Sequence, residues 1–361
     1  MNAAVKLHDI GQSLWLDNIT RALLASGTLA RYIAGLAVTG LTSNPTIFDK
    51  AITGSADYDE QILQLLGQGI EPEPLFFELA IDDLSKAASL LRPIWDATEG
   101  IDGWVSLEVS PKLAHDTATT ITMAKELHAQ AGTPNLFIKI PGTPEGIPAI
   151  EEAIFAGVPI NVTLLFSREH YLAAAEAYMR GLERRKEAGL DLKVGSVASL
   201  FVSRWDGAVM DQVTDDLRGQ LGVGIAKRTY AAYQGVLASD RWKALAAAGA
   251  NPQRLLWAST GTKDPALPDT FYIEALASSQ TVNTMPEGTL IAFGAHGVVG
   301  DLLTSDGGDA EELLARFTSD GVDLDALATK LQADGADSFV ASWEELISTI
   351  ESKSSDLAKA N

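Results

Sequence analysis

The stretch that decides the fold is Leu136-Phe137-Ile138-Lys139-Ile140, followed by the turn residues Pro141-Gly142. It has the composition of a short buried strand, because strands in the middle of a parallel sheet are nearly continuous apolar runs. Lys139 interrupts that run, and an unpaired buried ammonium is costly. The lysine therefore needs either a charged partner or a role as a neutral amine. A desolvated lysine loses its proton more easily and becomes a nucleophile toward carbonyl groups.

Outward from this stretch, strand-like runs alternate with amphipathic helical runs along most of the chain. This alternation predicts an α/β protein with a (β/α)₈ TIM barrel, additional helices and a helical C-terminal extension. An open doubly wound sheet is the alternative, but the first strand is followed by Asp17-Asn18-Ile19-Thr20-Arg21, without the glycines of a nucleotide-binding loop. The predicted strands are Leu14–Asn18, Val38–Ser43, Trp104–Val109, Leu136–Ile140, Pro159–Phe166, Lys193–Val202, Leu255–Ser259 and Thr281–Met285.

The last part of the chain is acidic and lacks strand-like runs. We expect a barrel domain over residues 1–300 and a helical extension over residues 301–361 that packs on the barrel. The amphipathic pieces of the extension are Ala310–Phe317, Leu324–Leu331 and Ser338–Ile350.

Composition and charge exclude several classes of function. The chain has 361 residues, no cysteine and a formal charge of −21, so thiolate chemistry is absent and neither nucleic acid nor an anionic membrane is expected as a partner. The five histidines have no paired ligand spacing, so we expect no metal site. The N-terminus lacks the pattern of a secretory signal, and no apolar run reaches the roughly 20 residues of a membrane span. A cytoplasmic protein is expected, and an anionic substrate would need a local cluster of cationic groups.

The parity of the strands brings the polar residues together. Residues i and i+2 of a strand share a face, and each aliphatic set can face the surrounding helices while the polar set faces inward. The polar residues fall near the C-terminal ends of their strands, where barrel active sites lie. Individually, Glu108 could be an ion-pair partner for Lys139 and Asn161 could cap a turn. The set predicted to share one pocket is Asp17, Glu108, Lys139, Asn161, Thr163 and Ser259.

An ordered series of motifs from about Leu14 to His296 resembles the transaldolase family, in its longer bacterial branch. The motifs are Leu14-Trp15-Leu16-Asp17-Asn18, Gly40-Leu41-Thr42-Ser43-Asn44-Pro45-Thr46-Ile47-Phe48, Val105-Ser106-Leu107-Glu108-Val109-Ser110-Pro111, Ile138-Lys139-Ile140-Pro141, Asn161-Val162-Thr163-Leu164-Leu165-Phe166-Ser167 and Thr281-Val282-Asn283-Thr284-Met285-Pro286. The resemblance implies a cofactor-free barrel enzyme of the non-oxidative pentose phosphate pathway. Such an enzyme transfers a dihydroxyacetone unit from sedoheptulose 7-phosphate or fructose 6-phosphate to glyceraldehyde 3-phosphate or erythrose 4-phosphate.

The resemblance also implies roles for individual residues. Lys139 would form the Schiff base, Asp17 would exchange the proton of the C4 hydroxyl, and Glu108 would act through a water that Thr163 helps to hold. Asn44 and Asn161 would bind the hydroxyls of the dihydroxyacetone unit.

The resemblance is less regular at the expected phosphate end. Ser199-Leu200-Phe201-Val202-Ser203-Arg204 matches the family segment that ends in a phosphate-binding arginine, and Ser199, Phe201 and Arg204 are therefore expected to contact substrate. Leu200 and Ser203 differ from the proline and glycine of many relatives. The arginine that often follows the serine matching Ser259 is absent here, and Lys263 is its expected substitute, although lysine lacks the two-pronged donor geometry of arginine.

Two other functions stay open at this point. The first is a fructose-6-phosphate aldolase-like enzyme that releases free dihydroxyacetone, and the second is a non-catalytic sugar-phosphate-binding barrel. Either a monomer or a homodimer is compatible with the sequence.

Overall fold

Eight parallel strands close into a barrel in the computed structural model, which describes residues 2–360. The strands pair in chain order, and β8 closes the barrel against β1. This confirms the predicted (β/α)₈ architecture. The strands are β1 Gln12–Asp17, β2 Val38–Thr42, β3 Trp104–Glu108, β4 Leu136–Pro141, β5 Ile160–Leu165, β6 Ser196–Phe201, β7 Gln253–Ala258 and β8 Thr281–Met285.

Helices surround the barrel and continue past its last strand. Within residues 2–360 they are α1 Ala3–Asp9, α2 Arg21–Ala25, α3 Thr28–Leu36, α4 Pro45–Thr53, α5 Asp59–Leu66, α6 Pro72–Ala97, α7 Thr117–Ala131, α8 Gly146–Ala156, α9 Arg168–Glu187, α10 Ser203–Val209, α11 Gln220–Ala238, α12 Asp240–Ala246, α13 Phe271–Ala275, α14 Glu287–His296, α15 Ala310–Ser319 and α16 Leu324–Ala360. Short 3₁₀ turns lie at Pro111–Leu113 and Asp215–Leu217. No helix in this part of the chain combines the length and apolar character needed to cross a bilayer.

The predicted strands agree with the structure apart from their ends. The main difference is β6, which begins at Ser196 instead of Lys193. The C-terminal pieces differ more, because the two segments expected after Leu324 form one continuous helix, α16. Gly335 lies between them, and an interior glycine costs a helix about 1 kcal/mol. Packing of α16 against the barrel offsets this cost, so the helix continues past Gly335 without a break.

The second half of α16 is anchored on helices near β2. Trp343 is fully buried against two phenylalanines of α6. Its ring centroid lies 5.1 Å from that of Phe76 and 5.6 Å from that of Phe77. Lys353 donates a hydrogen bond of 2.8 Å to the Ile52 carbonyl on α4. The extension therefore packs on the barrel. A division of the chain at residue 300 stays a prediction.

The N-terminal end of the barrel is closed by a buried charged pair. Arg254 on β7 lies 3.7 Å from Asp102, and both side chains are nearly inaccessible. Arg254 also donates to Ser13 and to the Thr281 carbonyl. These contacts tie β7 to β1 and β8 at that end of the barrel.

Candidate active site

A cavity of about 150 Å³ lies at the C-terminal end of the barrel. It contains all of the sequence-predicted site residues except Glu108 and Lys263. The predicted residues that line it are Asp17, Asn44, Lys139, Asn161, Thr163, Ser199, Phe201, Arg204 and Ser259. They come from β1, β4, β5, β6, the start of α10 and the loops that follow β2 and β7. Five of the six residues that strand parity predicted to share a pocket therefore line one cavity, and the sixth, Glu108, does not.

Lys139 lies between this cavity and a buried carboxylate. Glu108 on β3 is its register partner on β4, and the Lys139 Nζ is 3.5 Å from the Glu108 Oε2. The two side chains are only 8% and 9% exposed. Lys139 Nζ also donates a hydrogen bond of 2.8 Å to the Ser43 carbonyl. The lysine thus has a charged partner and, at the same time, an amine that faces the cavity.

Asp17 is the second carboxylate near this amine. It accepts a hydrogen bond of 2.7 Å from Thr42. Burial raises the pKa of Asp17, whereas the Thr42 hydrogen bond and the charge of Lys139 oppose that shift. Burial likewise raises the pKa of Glu108 against the charge of Lys139, and the neighbouring Asp17 adds to the rise. One amine therefore lies between two carboxyl groups that hold protons more readily than exposed acids do.

Asn161 has a fixed orientation on β5. It accepts a hydrogen bond of 2.7 Å from Ser199 Oγ on β6, and its amide donates to Ser106 Oγ at 3.3 Å. It sits inside the barrel and does not cap a turn. Asn44 does act as a cap, because its Oδ1 accepts the Ile47 N–H of α4.

Two buried polar atoms in this region lack hydrogen-bond partners among residues 2–360. They are Thr163 Oγ1 and Glu108 Oε2. Glu108 Oε2 nevertheless lies at ion-pair distance, 3.5 Å, from Lys139 Nζ. Buried polar atoms are almost always hydrogen-bonded, so these two are placed to bind a water or a ligand.

Arg204, at the start of α10, forms the cationic side of the cavity. Its guanidinium lies 5.1 Å from the Phe201 ring centroid. Burial lowers the pKa of Arg204, and no carboxylate in the described part of the chain opposes this shift. A half-buried guanidinium without a counter-ion is suited to bind an anion. Ser259 lies beside it, with its Oγ 2.9 Å from the Oγ of Ser203.

Lys263 lies outside the cavity lining, in the loop after β7. It faces a smaller neighbouring cavity of about 60 Å³. Desolvation and the positive charge of Arg204 both lower the pKa of Lys263, which places the two cations close together. The two cations form a local concentration of positive charge in a chain of charge −21.

Sequence reasoning missed four residues of the lining: Thr42, Ala258, Thr284 and Phe339. Thr42 and Thr284 lie within quoted motifs, and their hydroxyls are 2.6 Å apart across the barrel mouth. Their positions at strand ends were a usable signal. Phe339 comes from α16, and nothing in its local sequence indicates a place in the site.

Comparison with known proteins places these features in context. The model of the family described as Transaldolase/Fructose-6-phosphate aldolase matches residues 14–350. A protein of Saccharopolyspora erythraea named transaldolase is 46% identical, covering 95% of this chain and 95% of its own length. One of Thermobifida fusca with the same name is also 46% identical, over 96% of each chain. A third, from an Arthrobacter strain, is 43% identical over 99% of this chain and 98% of its own.

Proposed function

The chain belongs to the transaldolase/fructose-6-phosphate aldolase family and is a transferase of the aldolase type, and on that premise we propose that it transfers a dihydroxyacetone unit through a Schiff base on Lys139. The donor is a ketose phosphate, sedoheptulose 7-phosphate or fructose 6-phosphate. The acceptor is an aldose phosphate, glyceraldehyde 3-phosphate or erythrose 4-phosphate. The observation that carries the proposal is one buried amine between Asp17 and Glu108, at a cavity with an unpaired Arg204.

The first half-reaction begins at the Lys139 amine. It attacks the ketose C2 carbonyl, and loss of water from the carbinolamine forms an iminium. Asp17 accepts the proton of the C4 hydroxyl, the C3–C4 bond breaks, and its electron pair moves into the iminium to form an enamine. The new C4 carbonyl leaves as an aldose phosphate. The raised pKa of Asp17 suits it to hold this proton and return it when the acceptor aldehyde reacts.

Water transfer during formation and hydrolysis of the Schiff base is assigned to Glu108 and Thr163. Thr163 Oγ1 has no hydrogen-bond partner among the described residues, and Glu108 Oε2 lies beside the Lys139 amine, so the two oxygens can hold a water molecule there. Glu108 takes up and releases the proton, and its raised pKa favours the protonated form at the point where the carbinolamine must lose hydroxide.

Recognition of the sugar is divided between the two ends of the cavity. Asn44 and Asn161 face the dihydroxyacetone unit with their amide groups, and Ser199 holds Asn161 in place. Arg204 binds the phosphate, with Lys263 as a second positive charge and Ser259 as a hydroxyl donor. Phe201 stacks beneath the guanidinium and keeps it directed to the cavity.

Transfer is favoured over simple aldol cleavage because the relatives that match nearly the full length of this chain are named transaldolases. The Arthrobacter relative covers 99% of this chain, so its match reaches into α16, which supplies part of the cavity lining. A place in the non-oxidative pentose phosphate pathway and a cytoplasmic location follow from the proposed substrates.

Borohydride trapping tests the proposal directly. The protein is incubated with fructose 6-phosphate and borohydride, and the adduct is mapped by mass spectrometry. Modification of Lys139 is expected, and its absence refutes the mechanism. Lys139→Met should abolish turnover while the variant still binds the sugar phosphate. A wild-type protein that binds but never turns over would instead be a sugar-phosphate-binding barrel.

A further inference from the structure

One face of α16 lies across the mouth of the barrel. Gln332, Gly335 and Phe339 are spaced by three and four residues, so they share this face of the helix. Gln332 Nε2 donates hydrogen bonds of 3.0 Å to the Gly142 carbonyl and 2.9 Å to the Leu164 carbonyl. These two carbonyls belong to the C-terminal ends of β4 and β5. The helix is therefore fixed to the strands that carry Lys139 and Thr163.

Gly335 allows α16 to approach Arg204 closely. A Cβ at this position would lie 3.0 Å from Leu164 Cδ2 and 3.3 Å from Arg204 Nη1. At these distances the side-chain ends of Leu164 and Arg204 would have to give by a few tenths of an ångström. Glycine lowers helix propensity relative to alanine, so its presence in the middle of α16 fits the need for close approach.

Phe339 lies one turn further along and forms a wall of the active-site cavity. Its ring centroid is 5.9 Å from Lys139 Nζ and 5.9 Å from Arg204 Cζ. The ring also lines a second cavity, of about 280 Å³, which is bordered by Lys50 and Ser338. Asn44 and Arg204 face both cavities as well. The phenyl ring thus lies between the reacting amine and this larger space.

We propose that Phe339, positioned by Gln332 and Gly335, is a specificity-determining residue that favours transfer over hydrolysis. This inference rests on the proposed function.

After C3–C4 cleavage the enamine on Lys139 has two fates. It can attack the acceptor aldehyde, forming a new C–C bond while the aldehyde oxygen takes a proton. Alternatively, C3 takes a proton, water adds to C2 of the resulting iminium, and the C–N bond breaks to release dihydroxyacetone and the Lys139 amine. Both routes use the water assigned to Glu108 and Thr163 to hydrolyse the Schiff base. An apolar ring over the amine keeps further solvent away from the waiting enamine and so disfavours proton delivery to C3, the step that only the second route needs.

Phe339→Ala opens the wall between the two cavities and tests this directly. With fructose 6-phosphate as donor and erythrose 4-phosphate as acceptor, we expect a several-fold rise in dihydroxyacetone released per transfer product. The borohydride adduct on Lys139 should still form. Phe339→Leu retains an apolar cover and should restore most of the wild-type ratio.

Phe155→Ala is the matched control. Phe155 on α8 is also half-buried and also contacts a guanidinium, that of Arg184 at 4.1 Å. It lies on the outer helical layer, where α8 packs against α9, so the product ratio should stay at the wild-type value. Gly335→Ala is the second variant, because it leaves Phe339 intact and improves helix propensity while it presses a methyl group against the side-chain ends of Leu164 and Arg204 where α16 meets the site. It should raise dihydroxyacetone release without loss of thermal stability.

The outcomes separate the two proposals. If Phe339→Ala and Gly335→Ala give the wild-type product ratio while Lys139 is still trapped, the role of Phe339 is refuted and the proposed function stands. If wild-type protein shows no adduct on Lys139, the proposed function fails and this inference fails with it.

Discussion

Lys139→Met should reveal how strongly the stability of the folded protein depends on the positive charge at the centre of the site. Lys139 Nζ and Glu108 Oε2 are 3.5 Å apart and both side chains are less than a tenth exposed. At an effective dielectric constant of about 20, their Coulomb attraction is about 5 kcal/mol. Removal of one partner of a buried pair costs roughly 3–5 kcal/mol, because the other charge stays buried. We expect the free energy of unfolding to fall by about 3 kcal/mol at pH ~8.

The same change should make stability depend on pH. Lys139 is the largest influence that opposes the raised pKa of Glu108, so its loss raises that pKa further. A folded state with a raised carboxyl pKa binds more protons than the unfolded state, and stability then falls as pH rises from the unfolded value of 4.5 through the folded pKa. The deficit of the variant should be smallest near pH ~5 and largest at pH ~8. Urea denaturation followed by tryptophan fluorescence at both pH values measures it.

Two further variants control this experiment. Lys193→Met removes a lysine that lies 2.8 Å from Glu99, but this pair is 49% and 76% exposed, so little change is expected at either pH. The double variant Lys139→Met/Glu108→Gln also removes the buried carboxylate that has lost its partner. It should abolish the pH dependence of the stability deficit. Wild-type stability of Lys139→Met at both pH values would refute the view that Lys139 neutralises a buried charge.

Three further predictions concern the phosphate, the proton and the packing. Arg204→Ala should lower kcat/KM for a phosphorylated donor roughly 10–100-fold, as for loss of a charged hydrogen bond, and should affect unphosphorylated fructose little. Asp17→Asn should leave the borohydride adduct intact but slow cleavage by about 10²–10⁴. In the wild type, activity should be lost as pH falls through the pKa of Asp17, which burial raises from its usual 3.8. Gly40→Ala should destabilise by about 1–3 kcal/mol, because a Cβ would lie 2.5 Å from the Trp15 ring. Its control, Gly35→Ala on an exposed helix with nothing within 4 Å, should stabilise by about 0.5–1 kcal/mol, and calorimetry distinguishes the two.

The candidate site was predictable where it is built from strands. Asp17, Lys139 and Asn161 each stand in a short apolar run, and strand parity assigns each to the inner face. The position of a site residue was harder to predict from sequence where a loop carries it. Lys263 was expected in the pocket, and the structure places it beside Arg204 but outside the cavity lining. The path of a loop depends on packing against other segments, which local sequence does not encode.

The sequence by itself determined the barrel, the order of its strands and the inward set of polar residues, because alternation and parity are local properties of the chain. Only the tertiary structure decided how the site is closed. Gln332, Gly335 and Phe339 are nearly 200 residues from Lys139 along the chain, yet they lie across the same cavity. Local propensity predicted a break in α16 near Gly335. The long-range contacts of that helix overrode it, and the missing side chain at Gly335 lets α16 lie close to Leu164 and Arg204.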